Sequence, residues 1–502
     1  MARLHGFSSR NGENQPLGEF AQTGKFGRMF RKLRPFTPSI ESLTELGNAM
    51  NDIDPNSNDG DNVNVPAGFT YLGQFIDHDI TFDTTALQEV LVDPLAIRNF
   101  RTPRLDLDSL YGCGPKTQRY LYQLQDPDLF AIGKTNSQPG GGDNSIPTEL
   151  PNDLPRAAST LAIIGDPRND ENLIVAQTHL AFLKFHNKVV KGIKDGSIQP
   201  LSSTDKSVFE QARELVIFHY QWIVLNDFLA RIIDTQQLQE VLNNGRRFFR
   251  FREEPFIPVE FSVAAYRLGH SMIRAVYDYN RVFNPHPGGI PATLELLFRF
   301  TAESGQLGDF ADIPIPSDWI IDWRRFFEID ANVPVQFSRK LDPFLVEPLK
   351  NIPNIPQPAS LAVRNLLRGR SLGLPSGQRI ARRMRFKPLS PAEISTGLDG
   401  QVAQKHNFHI ESPLWYYILK EAQIQQQGNR LGEVGSRILA EVFVGLLEAD
   451  SSSFLASNPD WKPTLPAQVP GTFTMTDLLN FVGDLNPIGD RLLNTSSPAT
   501  VG

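Results

Sequence analysis

Gly73-Gln74-Phe75-Ile76-Asp77-His78-Asp79 is the stretch on which the reading of this chain turns. It reads as one or two turns of helix, bounded upstream by Pro66, Ala67 and Gly68. Gln74 and His78 are four apart and share a helical face. Asp77 and Asp79 each stand about 100° from His78, on opposite sides of it. A base at His78 can therefore face a pocket while Asp79 faces a different partner.

The chain around this stretch is long enough, at 502 residues, for a large buried core. Its 40% hydrophobic and 21% charged residues are those of an ordinary globular protein. Lys and Arg number 49 against 56 Asp and Glu, a net charge of −7, which argues against a nucleic-acid binder. Cys113 is the single cysteine, so neither an intrachain disulfide nor a cysteine-based zinc or iron–sulfur site is available. The first twenty residues carry no apolar leader, and no run of 18 apolar residues predicts a membrane span. A cytoplasmic protein is the default expectation, with export by a leaderless route left open. The oligomeric state is not legible.

Length suggests about three domains, but no repeat and few alternating apolar runs occur. The expectation is a mainly α fold: a single large helical domain over residues 61–450 with few short strands. An irregular arm, residues 1–60, precedes it, and a C-terminal extension, residues 451–502, packs on it. The arm carries a basic cluster at Arg28, Arg31, Lys32 and Arg34 and one short helix, Ile40–Ala49. Further helices are predicted over Asp170–Ile193, Asp205–Ile233, Val263–Val276, Ala359–Leu367, Gln378–Arg385, Leu414–Gln426, Leu431–Ala449 and Met475–Val482. Gly140, Gly141 and Gly142 belong to no phosphate loop and read as a surface hairpin.

Four separated motifs, in order over roughly residues 60–450, resemble those of the animal-type haem peroxidases of the peroxidase–cyclooxygenase superfamily. The first is the opening stretch. The second, Gly165-Asp-Pro-Arg-Asn-Asp-Glu171, is similar to the family's distal-arginine motif. The third, Tyr266-Arg-Leu-Gly-His-Ser-Met-Ile273, is similar to its proximal-histidine helix. The fourth, Arg364-Asn-Leu-Leu-Arg368, is similar to the segment that orients that histidine. The family's Arg-Asp-His-Gly is replaced here by Arg370-Ser-Leu-Gly373.

The resemblance implies haem b, with His270 as iron ligand and Gly269 leaving room for a flat ring. Asn365 would orient His270 through its amide oxygen. Arg368 would pair with a haem propionate. The basic run Arg379, Arg382, Arg383, Arg385 and Lys387 reads as a solvated face, with a haem-carboxylate or anion contact as the alternative. On the other side His78 would act as base and then acid on hydrogen peroxide. Arg168 would stabilise charge as the O–O bond breaks, and Gln74 would position a water or an anion. A small reducing substrate (halide, thiocyanate or phenol) would return the electrons. Asp77 and Glu171 match the carboxylates that form ester links to haem in mammalian members. Asn172 stands where a methionine makes a third link and cannot make it. His179 and His186 read as structural.

Asp79 points elsewhere. The loop Thr102–Asp108 offers oxygens at every second residue. Thr102, the Arg104 carbonyl, Asp106, Asp108 and Asp79 make a plausible calcium shell, and the spacing is similar to the family's calcium loop. The rival readings are a fatty-acid dioxygenase or cyclooxygenase of the same superfamily and a non-catalytic protein of this fold. The first needs a radical-forming tyrosine, and the matching stretch here is Leu297-Phe298-Arg-Phe300. A non-haem site on Asp77, His78 and Asp79 fails because adjacent helical side chains diverge.

Overall fold

The opening stretch lies in the last two turns of a 13-residue helix, Gly68–Ile80, longer than its polar motif alone suggests. The structure, a computed structural model, describes residues 24–83, 98–136, 145–202, 205–301, 314–352 and 357–490. The Gly140–Gly142 expectation lies outside these residues. The 13-residue helix packs against the chain's long helix, Leu173–Asp195. Phe75 stacks on Phe182 at 4.7 Å between ring centroids, and Tyr220, from the helix Val208–Ile223, meets Phe182 edge-on at 5.7 Å. A Cβ at Gly73 would stand 3.1 Å from the Phe228 ring, so a glycine there lets the helix seat closely.

The fold is mainly α. Three small sheets fasten loops. Gly24–Gly27 pairs antiparallel with Arg98–Asn99 and parallel with Ile257–Pro258. Asp61–Pro66 pairs with Phe337–Arg339, and Val276–Tyr277 with Ala292–Thr293. One hydrophobic core extends from Phe26 to Leu479. Phe473 and Phe481 of the C-terminal segment pack on Phe185 of the long helix at 5.8 and 5.6 Å.

The helices Ile40–Ala49, Leu414–Gln426 and Met475–Val482 have the expected bounds. The long helix starts at Leu173 instead of Asp170, because Asn172 caps it by accepting from the Val175 amide at 3.0 Å. Pro167–Asp170 ahead of it is a 3₁₀ turn. The helix expected over 205–233 begins at Val208 and passes through a π segment, Val224–Phe228. The largest departure is at 263–276, where no α-helix forms. A single α turn, Val259–Ser262, breaks at Ala264 (φ −129°, ψ −74°) and a 3₁₀ segment, Ala265–His270, follows. Side chains take the local backbone acceptors: Arg267 Nε donates to the Ser262 carbonyl at 3.2 Å, and Trp415 Nε1, distant in sequence, to the Arg267 carbonyl at 3.3 Å.

Candidate functional site

Helical spacing alone turns Gln74, Asp77 and His78 to one wall of a cavity of about 280 Å³, joined there by Glu171. His78 is 5% exposed. Its Nδ1 lies 2.8 Å from Asn169 Oδ1, an oxygen that can only accept, so Nδ1 carries the proton and Nε2 keeps the lone pair. The Asn169 amide nitrogen in turn faces His179 Nδ1 at 2.9 Å. Burial, then the nearby Arg168 charge, pushes the His78 imidazole down to about 3, so the ring is neutral at pH 7. Its Nε2 lies 3.7 Å from Glu171 Oε1. Gln74 donates to the same carboxylate oxygen and accepts from Asn172 Nδ2 at 3.1 Å.

Tyr266, Gly269 and His270 line the same cavity from the 3₁₀ segment, and apolar side chains such as Phe228, Leu297 and Phe298 line it further. A Cβ added at Gly269 would meet nothing within 4 Å, so this part of the segment borders open space. His270 Nδ1 is 2.7 Å from Asn365 Nδ2, a nitrogen that can only donate, so in this arrangement Nδ1 accepts and Nε2 carries the proton. The partner is the expected one, but its amide is turned the other way from the expectation. Asn365 Oδ1 is taken by Arg267 Nη1 at 3.4 Å, a cation that outcompetes a ring N–H for the oxygen. Burial, then Arg267, lowers the His270 pKa to about 3.

Arg168 does not line this cavity. It borders an adjoining one of about 230 Å³ together with Arg267, Arg364, Asn365 and Arg368. Its Nη2 donates to the His78 carbonyl at 2.9 Å and to Asp166 at 2.7 Å, and its guanidinium lies 4.2 Å from the centre of the Phe82 ring. Burial raises the Asp166 carboxyl, but Arg101 and Arg168 outweigh it and hold it below the usual carboxylate range. Arg368 donates to Asp83. Asp77 borders both cavities, accepts from Thr81 Oγ1 at 3.0 Å, and is raised in pKa by burial.

Behind the helix, Asp79 is fully buried. It accepts from Ser109 Oγ (3.1 Å), the Leu107 amide (3.1 Å) and Tyr220 Oη (3.2 Å). Asp79, Asp106 and Asp108 bring ligand oxygens within 4.8 Å of one another. Thr102 Oγ1 donates to Asp106 Oδ1 at 3.1 Å, and Asp108 Oδ1 is buried with no hydrogen bond, 3.5 Å from Arg101 Nη1. Burial pushes all three carboxyls up. Arg104 sits exposed in the same loop. His179 and His186 are fully buried, and His186 holds Tyr111 Oη and the Asp128 carbonyl.

Residues 88–450 match the animal haem peroxidase family. The chain belongs to this family. The match takes in Arg168, Glu171, His270, Asn365, Arg368 and the Thr102–Asp108 loop, while the Gly73–Asp79 stretch lies just ahead of it. Among curated relatives, a peroxidase-like protein of Margaritifera margaritifera is 32% identical over 137 residues, 26% of this chain and 16% of that protein. Dog thyroid peroxidase is 25% identical over 216 residues, 41% of this chain and 22% of its own length. These alignments thus span about a fifth of the relatives. Among solved structures, peroxidase A of Dictyostelium discoideum superposes with a TM-score of 0.61 at 15% identity, over 94% of this chain and 95% of the other. The Oryza sativa fatty acid alpha-dioxygenase gives 0.56 at 15% identity, over 96% and 83%. Both likenesses are of fold. Haem binding follows from family membership, and the residues present fit it: open space beside Gly269, a histidine that turns Nδ1 and not Nε2 to its asparagine, and guanidinium groups on the adjoining cavity.

Sequence reasoning passed over Asn169 and Arg267. Both lie inside motifs that it quoted. Nothing in their residue types marks them, because each acts through a partner distant in sequence.

Proposed function

We propose that the chain is a peroxidase that reduces hydrogen peroxide and oxidises a small donor such as a halide, thiocyanate or a phenol. One observation carries the reading. Two histidines on different elements border one cavity, and an asparagine holds the Nδ1 of each, so both present Nε2. His78 keeps its Nε2 lone pair, as a base needs, and His270 gains one once the Asn365 amide turns, which suits one base and one iron ligand better than two structural rings. Haem, when bound, supplies the redox chemistry that passes electrons from donor to peroxide.

His270 is the residue to hold the iron, with Asn365 orienting it; an iron-bound Nε2 puts the proton on Nδ1 and asks the Asn365 amide to turn its oxygen there. Arg368, Arg267 and Arg364 suit the two haem carboxylates. His78 Nε2, neutral at working pH, takes a proton from peroxide and returns it to the departing oxygen. Arg168, fixed against the His78 carbonyl, adds positive potential as that oxygen leaves. Gln74, held between Glu171 and Asn172, positions a water or an anion. Asp79, Thr102, the Arg104 carbonyl, Asp106 and Asp108 would hold calcium, which would neutralise three neighbouring carboxylates. The test is peroxide-dependent oxidation of iodide and of a phenol by haem-loaded protein; no turnover of either, with a normal haem spectrum, would overturn the proposal.

The fold likeness to a fatty acid alpha-dioxygenase supports a second reading less well. Phe298 borders the cavity and cannot form a tyrosyl radical. Asp77 and Glu171 border the cavity on its His78 side and are proposed to form ester links to haem during peroxide turnover. Denaturing chromatography at the haem wavelength, before and after peroxide, decides this: covalent haem is expected to rise, and to fall by one link in Asp77→Asn and in Glu171→Gln.

A further inference from the structure

A second concavity is larger than the one that holds the histidines. A cleft of about 520 Å³ lies where three segments far apart in sequence meet. Arg31 and Lys32 come from the segment that follows the strand Gly24–Gly27. Arg247 and Arg250 come from the loop after the helix Thr235–Asn244. Arg383 and Arg385 come from the end of the helix Gly377–Met384. Two of these groups belong to the basic runs visible in the sequence, and folding brings runs about 350 residues apart to one place. No carboxylate is among the described residues that line the cleft.

We propose that this cleft binds a ligand bearing two or more phosphate groups. Six arginines, Arg28 among them, and one lysine converging on a concave surface repel one another, and an anion among them removes that cost. The chain as a whole carries a net −7, so the concentration of positive charge is local. Ordinary structural roles account for part of the set. Arg247 pairs with Glu240 at 2.6 Å, Arg250 Nε donates to the Arg247 carbonyl at 3.0 Å, and Arg31 lies 5.7 Å from the centre of the Phe256 ring. A helix C-terminus attracts cations, which suits Arg383 and Arg385. It does not explain why Arg31 and Lys32 are brought to the same end. The φ of +68° at Arg385 is that of the left-handed cap that ends this helix.

The floor of the cleft is fixed. The buried carboxylate of Glu260 accepts from the amides of Met29 and Phe30 at 3.0 and 3.1 Å. Arg28, on the same segment, donates to the Leu372 carbonyl at 2.7 Å. A prepared floor and a ring of guanidinium forks match the tetrahedral, doubly accepting oxygens of phosphate better than single carboxylates. The volume is that of a small-molecule site. The phosphates can belong to a soluble polyphosphate or to an inositol-phosphate lipid headgroup, since both present the same groups.

The experiment is calorimetric titration of the full-length protein with sodium tripolyphosphate, beside sodium sulfate at equal ionic strength. Sedimentation with phosphatidylcholine vesicles, with and without phosphatidylinositol bisphosphate, runs in parallel. One saturable site is expected, weakened at least tenfold in Arg383→Glu/Arg385→Glu and unchanged in the remote control Lys191→Glu. Arg31→Gln/Lys32→Gln, off the helix, gives the same answer should the first pair fail to fold by circular dichroism. Binding of tripolyphosphate alone assigns a soluble ligand, and binding of the lipid-containing vesicles assigns a headgroup; either supports the site. The proposal is overturned if neither probe binds, if sulfate binds as well as tripolyphosphate, or if the cleft variants bind like wild type.

Discussion

The two histidines of the cavity are presented by very different backbones. His78 sits on a regular helix of 13 residues, braced on one side by the long helix and behind by the Asp79 cluster. His270 ends a six-residue 3₁₀ segment that follows a broken turn. A regular helix sets the directions of its side chains by its own periodicity, so neighbours need only hold it in place. A 3₁₀ segment this short is held by what surrounds it, here by Asn365 and Trp415. The difference teaches that His78, the proposed base, is positioned locally and His270, the proposed ligand, globally.

The largest effect tests the weaker backbone. His270→Ala is expected to abolish stoichiometric haem binding. A Soret band of normal intensity and position in that variant would remove His270 from the iron. His78→Ala should keep its haem and react with peroxide ~10²–10⁴-fold more slowly, the usual loss for a general acid–base group. Stopped-flow measurement at wild-type speed would refute the role. The same experiment against pH sharpens it. The base works when neutral, and burial holds its pKa at about 3, so the wild-type rate should stay flat as pH falls from 8 towards 4. A break near 6.5, where an ordinary imidazole gains its proton, would show that burial does not hold the base's pKa down.

Smaller effects separate the supports on the two sides. Among the described residues, the acidic cluster lies behind the helix that carries His78 and not behind the His270 segment. Calcium at a hundredfold excess over its Kd should stabilise the protein by about 2.7 kcal/mol. Thermal melts with chelator and with added calcium should therefore differ in wild type but not in Asp79→Asn/Asp108→Asn. Coincident melts in wild type would dispose of the cation. Asn365→Ala should weaken haem affinity by ~10–100-fold, as removal of a metal ligand's orienting partner does. Asn169→Ala should slow the peroxide reaction by only ~tenfold, the worth of one hydrogen bond of ~1.4 kcal/mol. Equal effects of the two asparagine changes on haem affinity would erase the distinction drawn between the two sides.

The sequence alone determined the mainly α class, the helices at Ile40–Ala49, Leu414–Gln426 and Met475–Val482, and the face shared by Gln74 and His78. Those follow from apolar periodicity, caps and helical geometry, all of which act within a few residues. It also singled out the acidic loop, because alternate oxygens in an extended stretch are a local pattern. Tertiary structure decided what depends on partners distant in the chain. Residues 263–276 have a helical pattern, yet a bond from Trp415 takes the Arg267 carbonyl out of it. Arg168 faces the adjoining cavity because Asp166 and the His78 carbonyl hold it there. The Asn365 amide turns towards Arg267 because a buried guanidinium must find an oxygen. The two basic runs, each an ordinary solvated face when read alone, become one cleft only when the segments that carry them are packed side by side.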